Sequence, residues 1–457
     1  METTKPKKFT QSFTFKGFTV GILVLLLLVP QNMILNLIDE RKDRSQETVE
    51  AINNKWSDSQ TLCGPVLSIP FLQMKTETET VETKENKKEK REKVTYESHT
   101  LHITPEQLNI KTQLFPEEKH YGIYKTILYK SDIDINGIFG KLSDEDTAKY
   151  NFLWEKAYMT LGLSDLKGVS NRIDFTFGNL PLDVEAGGSY YNNEKQLIMT
   201  IPGLKESFEK GRLTFQGKIS LNGSSSIGFI PIGKNTQVEV AGDWKSPGFI
   251  GNFSPDSHIG ESFTANWNIL HFNRNIPEVW LDEYSYDSFH DSYFGVNLVN
   301  TVDHYQQNTR SAKYALMFIA LTFVVFFFVE ILTGRKIHPL QYLLVGIALI
   351  LFYSLLLSIS EQINFAVAYL IASVATIGLI TAYTYSIFKN RTQTGILATL
   401  LGGLYIFLFV ILQLEDVALL IGSIGLFVIL GVIMFVSRKI NFYKQEDTNP
   451  AENKEIS

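Results

Sequence analysis

Two hydrophobic rhythms divide the chain. In "RLTFQGKISLNG", Leu213, Phe215, Ile219 and Leu221 share one face of an extended segment, while Arg212, Thr214, Gln216, Lys218 and Ser220 share the other. The same period of two recurs in "TILYKSDIDI" through Ile127, Tyr129, Ile133 and Ile135, in "RIDFTF", in "TQVEV", and in "SFTANWNI" through Phe263, Ala265, Trp267 and Ile269. Turn signals such as "NGSS", "KSPGF" and "FSPDS" separate these stretches. The pattern predicts half-buried strands in antiparallel sheets folded as a sandwich over residues 39–311. Two helical stretches interrupt it: "RKDRSQETVEAINNKWS", with Val49, Ile52 and Trp56 at helical spacing, and "DEDTAKYNFLWEKAYMTLGL", opened by an acidic turn.

The second rhythm is continuous apolarity. Residues 17–38 form one such run, behind a basic segment at 1–16; no small-residue cleavage site follows Val29, so it reads as a retained transmembrane anchor rather than a signal peptide. Residues 312–436 hold five more runs, near 312–333, 340–359, 365–388, 394–412 and 417–436, each long enough to cross about 30 Å of hydrocarbon. The expected architecture is therefore a six-span α-helical membrane protein, with the large β-rich domain inserted between spans one and two.

Orientation follows from the basic residues of the short loops. Lys5, Lys7, Lys8 and Lys16 precede span one, Arg335 and Lys336 follow span two, Lys389 and Arg391 follow span four, and Arg438, Lys439 and Lys444 follow span six. The alternate loops "SEQIN" and "QLED" have none. Both termini, including the tail 437–457, are expected in the cytoplasm, and residues 39–311 in the periplasm.

Composition changes this picture little. The 457 residues are 45% hydrophobic and 20% charged with a net charge of -6, an average of two unlike parts that leaves no basic region to bind nucleic acid. Cys63 stands alone, which excludes a disulfide framework and a thiolate metal site. The run 76–94, "TETETVETKENKKEKREKV", is expected as a charged, flexible loop, either a solvated hairpin tip or a disordered segment. No phosphate-binding glycine loop, paired-histidine zinc motif or nucleophile elbow occurs, so no catalytic residue, cofactor or metal is assigned and the protein is not expected to be an enzyme. His99 and His102 would lie on opposite faces of a strand, and Asp287, His290 and Asp291 cluster in sequence without a nucleophile nearby.

Ionisable groups within hydrocarbon are functional candidates by default, so the membrane carboxylates are placed by depth. Glu330 lies close enough to Arg335 and Lys336 to reach the headgroups, and Glu361, Glu415 and Asp416 sit at the outer ends of helical hairpins. Those three form one outer-face binding or docking cluster if the hairpins are neighbours, and are loop punctuation otherwise. Gly402 and Gly403, or Gly422 and Gly425, allow close helix approach.

The residues also resemble a known family. "HPLQYLLVGIALILFYSLLLSISEQINFAVAYLIAS", "LLGGLYIFLFVILQLEDVALLIGSIGLF" and "FGVNLVNTVDHYQQNTRSAKYALMFIALTF" are similar to the membrane part of the CreD inner-membrane proteins, called cell envelope integrity proteins. "TLCGPVLSIPF", "GFIPIGKNTQVEVAGDWKSPGFIGNFSP" and "FTANWNILHFNRNIP" resemble that family's soluble part, whereas 76–94 matches no family pattern. The resemblance implies an inner-membrane protein of a Gram-negative bacterium with a periplasmic β-rich domain. It also implies association with the Cre two-component system, envelope stress, the β-lactam response and colicin tolerance, and it supplies no catalytic residues.

The expected function is that of an envelope-integrity protein acting through its periplasmic domain on an unidentified envelope protein or lipid partner, anchored in the bilayer. A transporter or lipid-handling protein using Glu361, Glu415 and Asp416 is the first alternative, and an envelope enzyme with a site near His290 the second.

Overall fold

The computed structural model describes residues 13–82, 88–142, 150–187, 196–211, 213–282, 286–298, 304–333, 337–414 and 417–438. The chain divides into two compact units, Glu47–Thr301 and Met1–Gln46 with Val302–Ser457. Each is built around its own hydrophobic cluster.

The first unit is β-rich, with two sheets among the described residues. In one, the strands run in the order Gly248–Gly251, Phe294–Asn297, Ser226–Ile230, Gln60–Glu82, Tyr158–Leu163, Gln196–Thr200 and Val184–Gly187, and Lys88–Ile103 also pairs with Gln60–Glu82. The other runs Asp256–Ile259, Phe263–Leu270, Asn235–Gly242, Pro105–Tyr121, Tyr124–Phe139, Thr214–Ser224, Asp174–Phe177 and Leu180–Leu182. Period-two segments form the strands as expected: along Phe263–Leu270, Phe263, Ala265, Trp267 and Ile269 are buried and Asn266 and Asn268 exposed. Inward residues of both sheets belong to one apolar cluster, which makes the unit a sandwich.

Three expectations are corrected here. The described part of the stretch 144–163, expected to be helical, instead forms the strands Asn151–Phe152 and Tyr158–Leu163 with one 3-10 turn at Trp154–Lys156 between them, because the apolar residues from Met159 to Leu163 are taken up by the sheet. The sheets are not purely antiparallel, because Gln60–Glu82 pairs in parallel with Ser226–Ile230 and Pro105–Tyr121 with Asn235–Gly242. Parallel partners need only a long connection, and the alternation that marks a half-buried strand is the same in either direction. The run 76–94 is not a loop up to its tip: Thr76 to Glu82 and Lys88 to Val94 continue the two strands of a hairpin, with Glu79 opposite Arg91 and Glu82 opposite Lys88 in register.

The second unit is helical. The helices Phe13–Leu26 and Leu28–Trp56 follow each other with a single break at Leu27, where Pro30 supplies no N–H for the carbonyl of Leu26. Among the described residues, four helices are long and apolar enough to span a membrane: Lys16–Trp56, Pro339–Ser360, Phe365–Phe388 and Arg391–Gln413. A fifth arises if His304–Lys313 and Ala315–Ile331, bent by 44° at their junction, count as one, and Leu420–Phe435 is a shorter apolar helix. Asn364 and Asn390 cap their helices by accepting the amides of Ala366 and Thr392, and Pro339 stands at the first turn of its helix.

An aromatic knot joins four of these helices. Phe352 meets Tyr405 and Tyr369 edge to face, Phe318 packs on Tyr405, and the Tyr369 hydroxyl donates to the Tyr405 carbonyl at 2.8 Å. Of the glycines expected at close approaches, Gly425 lies against the Phe407 ring, whereas Gly402 and Gly403 face open space.

The centre of the β-rich core is Phe294, fully buried against Phe229, Phe253 and Trp267. Phe294→Ala is expected to cost about 3–5 kcal/mol, as removal of a large core ring does. A near-ultraviolet circular dichroism melt of the purified protein checks this, and a midpoint equal to wild type would show that the sheets are not held together there.

Candidate functional site

The membrane carboxylates come first. Glu361 follows the helix Pro339–Ser360 and accepts a hydrogen bond from the Tyr305 hydroxyl at 3.2 Å. Asn308, one turn further along the helix His304–Lys313, donates to Ser360 Oγ at 2.8 Å, and Arg310 reaches the Leu414 carbonyl at 3.5 Å. Tyr305, Asn308, Ser311 and Ala312 are buried at helical spacing, so this polar helix turns one face onto the hairpin ends. Glu415 and Asp416 lie outside the described residues. Reading by depth singled out Glu361 but missed Tyr305, Asn308 and Arg310, whose signal was the amphipathic spacing in "HYQQNTRSAK" ahead of an apolar run.

Glu330 is engaged within the helical unit. It is buried, pairs with the Lys16 ammonium, accepts from the Tyr342 hydroxyl at 3.1 Å and takes the Ile337 amide at 3.1 Å. One carboxylate thereby ties the first helix to the turn between two others. Glu330→Gln removes the charge facing Lys16 and is expected to destabilise the helical unit by about 3–5 kcal/mol, with most of the loss recovered when Lys16→Met is added. Thermal unfolding of the detergent-purified variants measures this, and additive losses in the double variant would contradict the pairing.

In the β-rich unit the histidines divide as period two predicts. His102 is buried, with Nδ1 2.8 Å from Ser68 Oγ and its ring stacked on Trp280 at 5.3 Å. His99, on the opposite face, holds Asp282 Oδ2 at 2.7 Å, and Asp282 Oδ1 accepts the Thr100 amide at 2.8 Å. Burial raises the Asp282 carboxyl, but the bonds from His99 and Thr100 and the nearby imidazoles outweigh it and hold the group below its ordinary value. Ser68, His102 and Asp282 are the residue types of a hydrolytic triad without its wiring, since the carboxylate serves His99 and Ser68 is fully buried.

Of Asp287, His290 and Asp291, the last two have described side chains. His290 stacks on Tyr293, the Asp291 backbone carbonyl accepts from the Asn252 side-chain carboxamide, and the side chain of Asp287 lies outside what is described. Among the described residues no group of three histidine, cysteine, aspartate or glutamate side chains is placed to hold a metal ion.

What the sequence did not reveal is an open polar cleft of about 850 Å³ on the outward face of the eight-stranded sheet. Its floor carries Asn109, Asn136, Gln237 and Asn268, with Lys111, Glu239 and Asn266 beside them. One wall is the segment 252–256, fixed by the Trp267 indole donating to the Phe253 carbonyl at 2.9 Å and by the Asn252 amide donating to the Tyr293 carbonyl at 2.9 Å. The opposite wall includes Asn273, whose turn is anchored by the buried Arg274 guanidinium donating to the carbonyls of Ile232, Gly233 and Ile276. Burial lowers the Arg274 pKa to about 10, which leaves it charged at neutral pH.

A sequence model of the family described as Inner membrane protein CreD matches residues 12–443, nearly the whole chain. The chain belongs to the CreD family of inner membrane proteins. It is 29% identical over 441 residues to Inner membrane protein CreD of Escherichia coli strain K12, covering 95% of this chain and 94% of that protein. Membership makes it a multi-pass protein of the bacterial inner membrane, in keeping with its several long apolar helices. The segments quoted above for the family resemblance, including "GFIGNFSP" and "FTANWNILHFN", supply both walls of the cleft and part of its floor.

His102 makes the β-rich unit sensitive to acid. Burial pushes its imidazole from 6.5 down to about 4, against the opposing pull of Asp282. The unfolded chain therefore takes up the proton first: this contribution is absent above pH 7, erodes stability as pH falls from about 6.5 to about 4, and is constant below, for a total of about 3 kcal/mol. His102→Gln is expected to flatten that part of the pH dependence in thermal melts between pH 7 and 4.5, and melts with the slope of wild type would contradict the assignment.

Proposed function

We propose that this protein is a non-enzymatic envelope component that works through recognition by its β-rich domain, held in the periplasm by six membrane passes with both termini in the cytoplasm. The observation that carries the reading is the open, rigidly walled polar cleft on the eight-stranded sheet. Concave sites with converging polar groups are where proteins of this size bind ligands. The basic residues of the alternate short loops support the topology, and the short helix Leu420–Phe435 supports a sixth pass if its flanking apolar residues complete it.

The disposition of the membrane carboxylates supports the same choice over a transporter. Glu330 and Glu361 are occupied by hydrogen-bond partners from neighbouring helices, the arrangement of groups that fasten a bundle. The enzyme alternative draws no support from His290, which stacks on Tyr293, or from Asp291, whose backbone carbonyl accepts from the Asn252 side chain.

The test is rescue of envelope impermeability in a deletion strain, read as uptake of a normally excluded dye under β-lactam stress at matched membrane levels. Glu361→Gln is expected to rescue at least about half as well as wild type, since Tyr305 can still donate to the amide oxygen. A chain lacking residues 60–300 is expected to fail. Failure of Glu361→Gln alone would move the function to the helical unit.

A further inference from the structure

We infer that the cleft is a binding site for an uncharged, hydroxyl-rich glycan, laid across the strands of the eight-stranded sheet; this rests on the recognition role proposed above and names its ligand class.

The inference starts from register. Asn268 stands opposite Gln237, Gln237 opposite Asn109, Asn109 opposite Asn136, and Asn136 opposite Gln216. Five carboxamides therefore form one row across five neighbouring strands, each on the face turned away from the core. Adjacent strands lie about 4.8 Å apart, so the row is about 19 Å long and repeats at a spacing close to the length of one pyranose unit. Every carboxamide offers both donors and an acceptor. A sugar hydroxyl does the same, and a row of such groups matches a chain of sugars without requiring either partner to carry charge.

Charge on the same face is balanced. The next row along the strands reads Asn266, Glu239, Lys111, Asp134 and Lys218. Lys111 lies 3.6 Å from Glu239, and Lys218 lies 3.3 Å from Asp134. Cations paired in this way do not present the positive field that would gather a polyanion.

The floor has hydrogen-bonding capacity to spare. Asn109 donates to Asn136 at 3.1 Å, while Gln237 and Asn268 make no side-chain hydrogen bond among the described residues. Phe272, next in sequence to the lining residue Asn273, is 83% exposed, with its ring against His271. The walls are fixed by a part-buried hydrogen bond to Phe253 and buried ones from Arg274, so a ligand meets a preformed surface and little ordering cost is added on binding.

The probe is the uncharged hexamer of N-acetylglucosamine, titrated by calorimetry into the full-length protein in lipid nanodiscs. Saturable binding is expected, unchanged between low and high salt, and weakened about ten-fold by the double substitution Asn109→Ala with Gln237→Ala, the equivalent of losing one or two hydrogen bonds. Lys205→Ala, on the short helix Leu204–Glu209 outside the cleft, is expected to bind as wild type does. Absence of saturable binding by wild type, or equal binding by the double variant, overturns the inference. So does capture of anionic phospholipid vesicles in place of the hexamer with loss of capture in the double variant, which would make the cleft a lipid site. The dye-uptake assay separates the two levels of the argument. If the chain lacking 60–300 fails and the cleft variant neither binds differently nor loses rescue, the recognition role stands and the glycan does not.

Discussion

The parallel pairing of Asn235–Gly242 with Pro105–Tyr121 is the contact on which the β-rich unit depends. Pro105–Tyr121 and Tyr124–Phe139 form a hairpin that local sequence can build alone, and Phe263–Leu270 extends Asn235–Gly242 from the other side. Only the parallel ladder joins these two local assemblies into one sheet. Its register also decides which side chains stand beside one another, because a slip of a single residue would turn the amides of Asn109 and Gln237 to opposite faces. The cleft floor is thus a by-product of the same alignment that buries Leu108, Ile110, Val238 and Val240 in the core.

This joint dependence explains what was legible in the sequence. Period two at Leu213, Phe215, Ile219 and Leu221 placed the inward face correctly, and each of those residues is buried. Apolar runs located the long helices, and the continuation of the first run into an amphipathic helix holds as far as Trp56. Strand direction was not legible, since alternation records burial and not polarity of the chain. Neither was the cleft: Asn109, Gln237 and Asn268 each look like ordinary solvent-facing positions, and only pairing between strands far apart in sequence sets them in a row.

The membrane carboxylates show the limit of reading by depth. Glu361 and Glu330 both lie at helix ends, where position along the chain predicts contact with water or headgroups. Which side of the helix they occupy matters as much as how far along it they lie. Tyr305 claims one and Lys16 with Tyr342 the other, through helices that the sequence places far away. The triad-like set Ser68, His102 and Asp282 teaches the converse: residue types met at close quarters carry chemistry only when the bonds run in a working order and the nucleophile meets solvent.

The ion pair between Lys16 and Glu330 has a consequence in time. The two residues are 314 positions apart, and the whole β-rich unit is translated between them. At about 5–20 residues per second, the ammonium waits on the order of tens of seconds for its carboxylate. During that interval the long lysine stem lets the charge reach the bilayer surface while the first helix is already inserted. Closure of the helical bundle is thereby deferred until the β-rich unit has been made. The first helix begins life as a tether and becomes a structural member of the bundle only when Glu330 emerges.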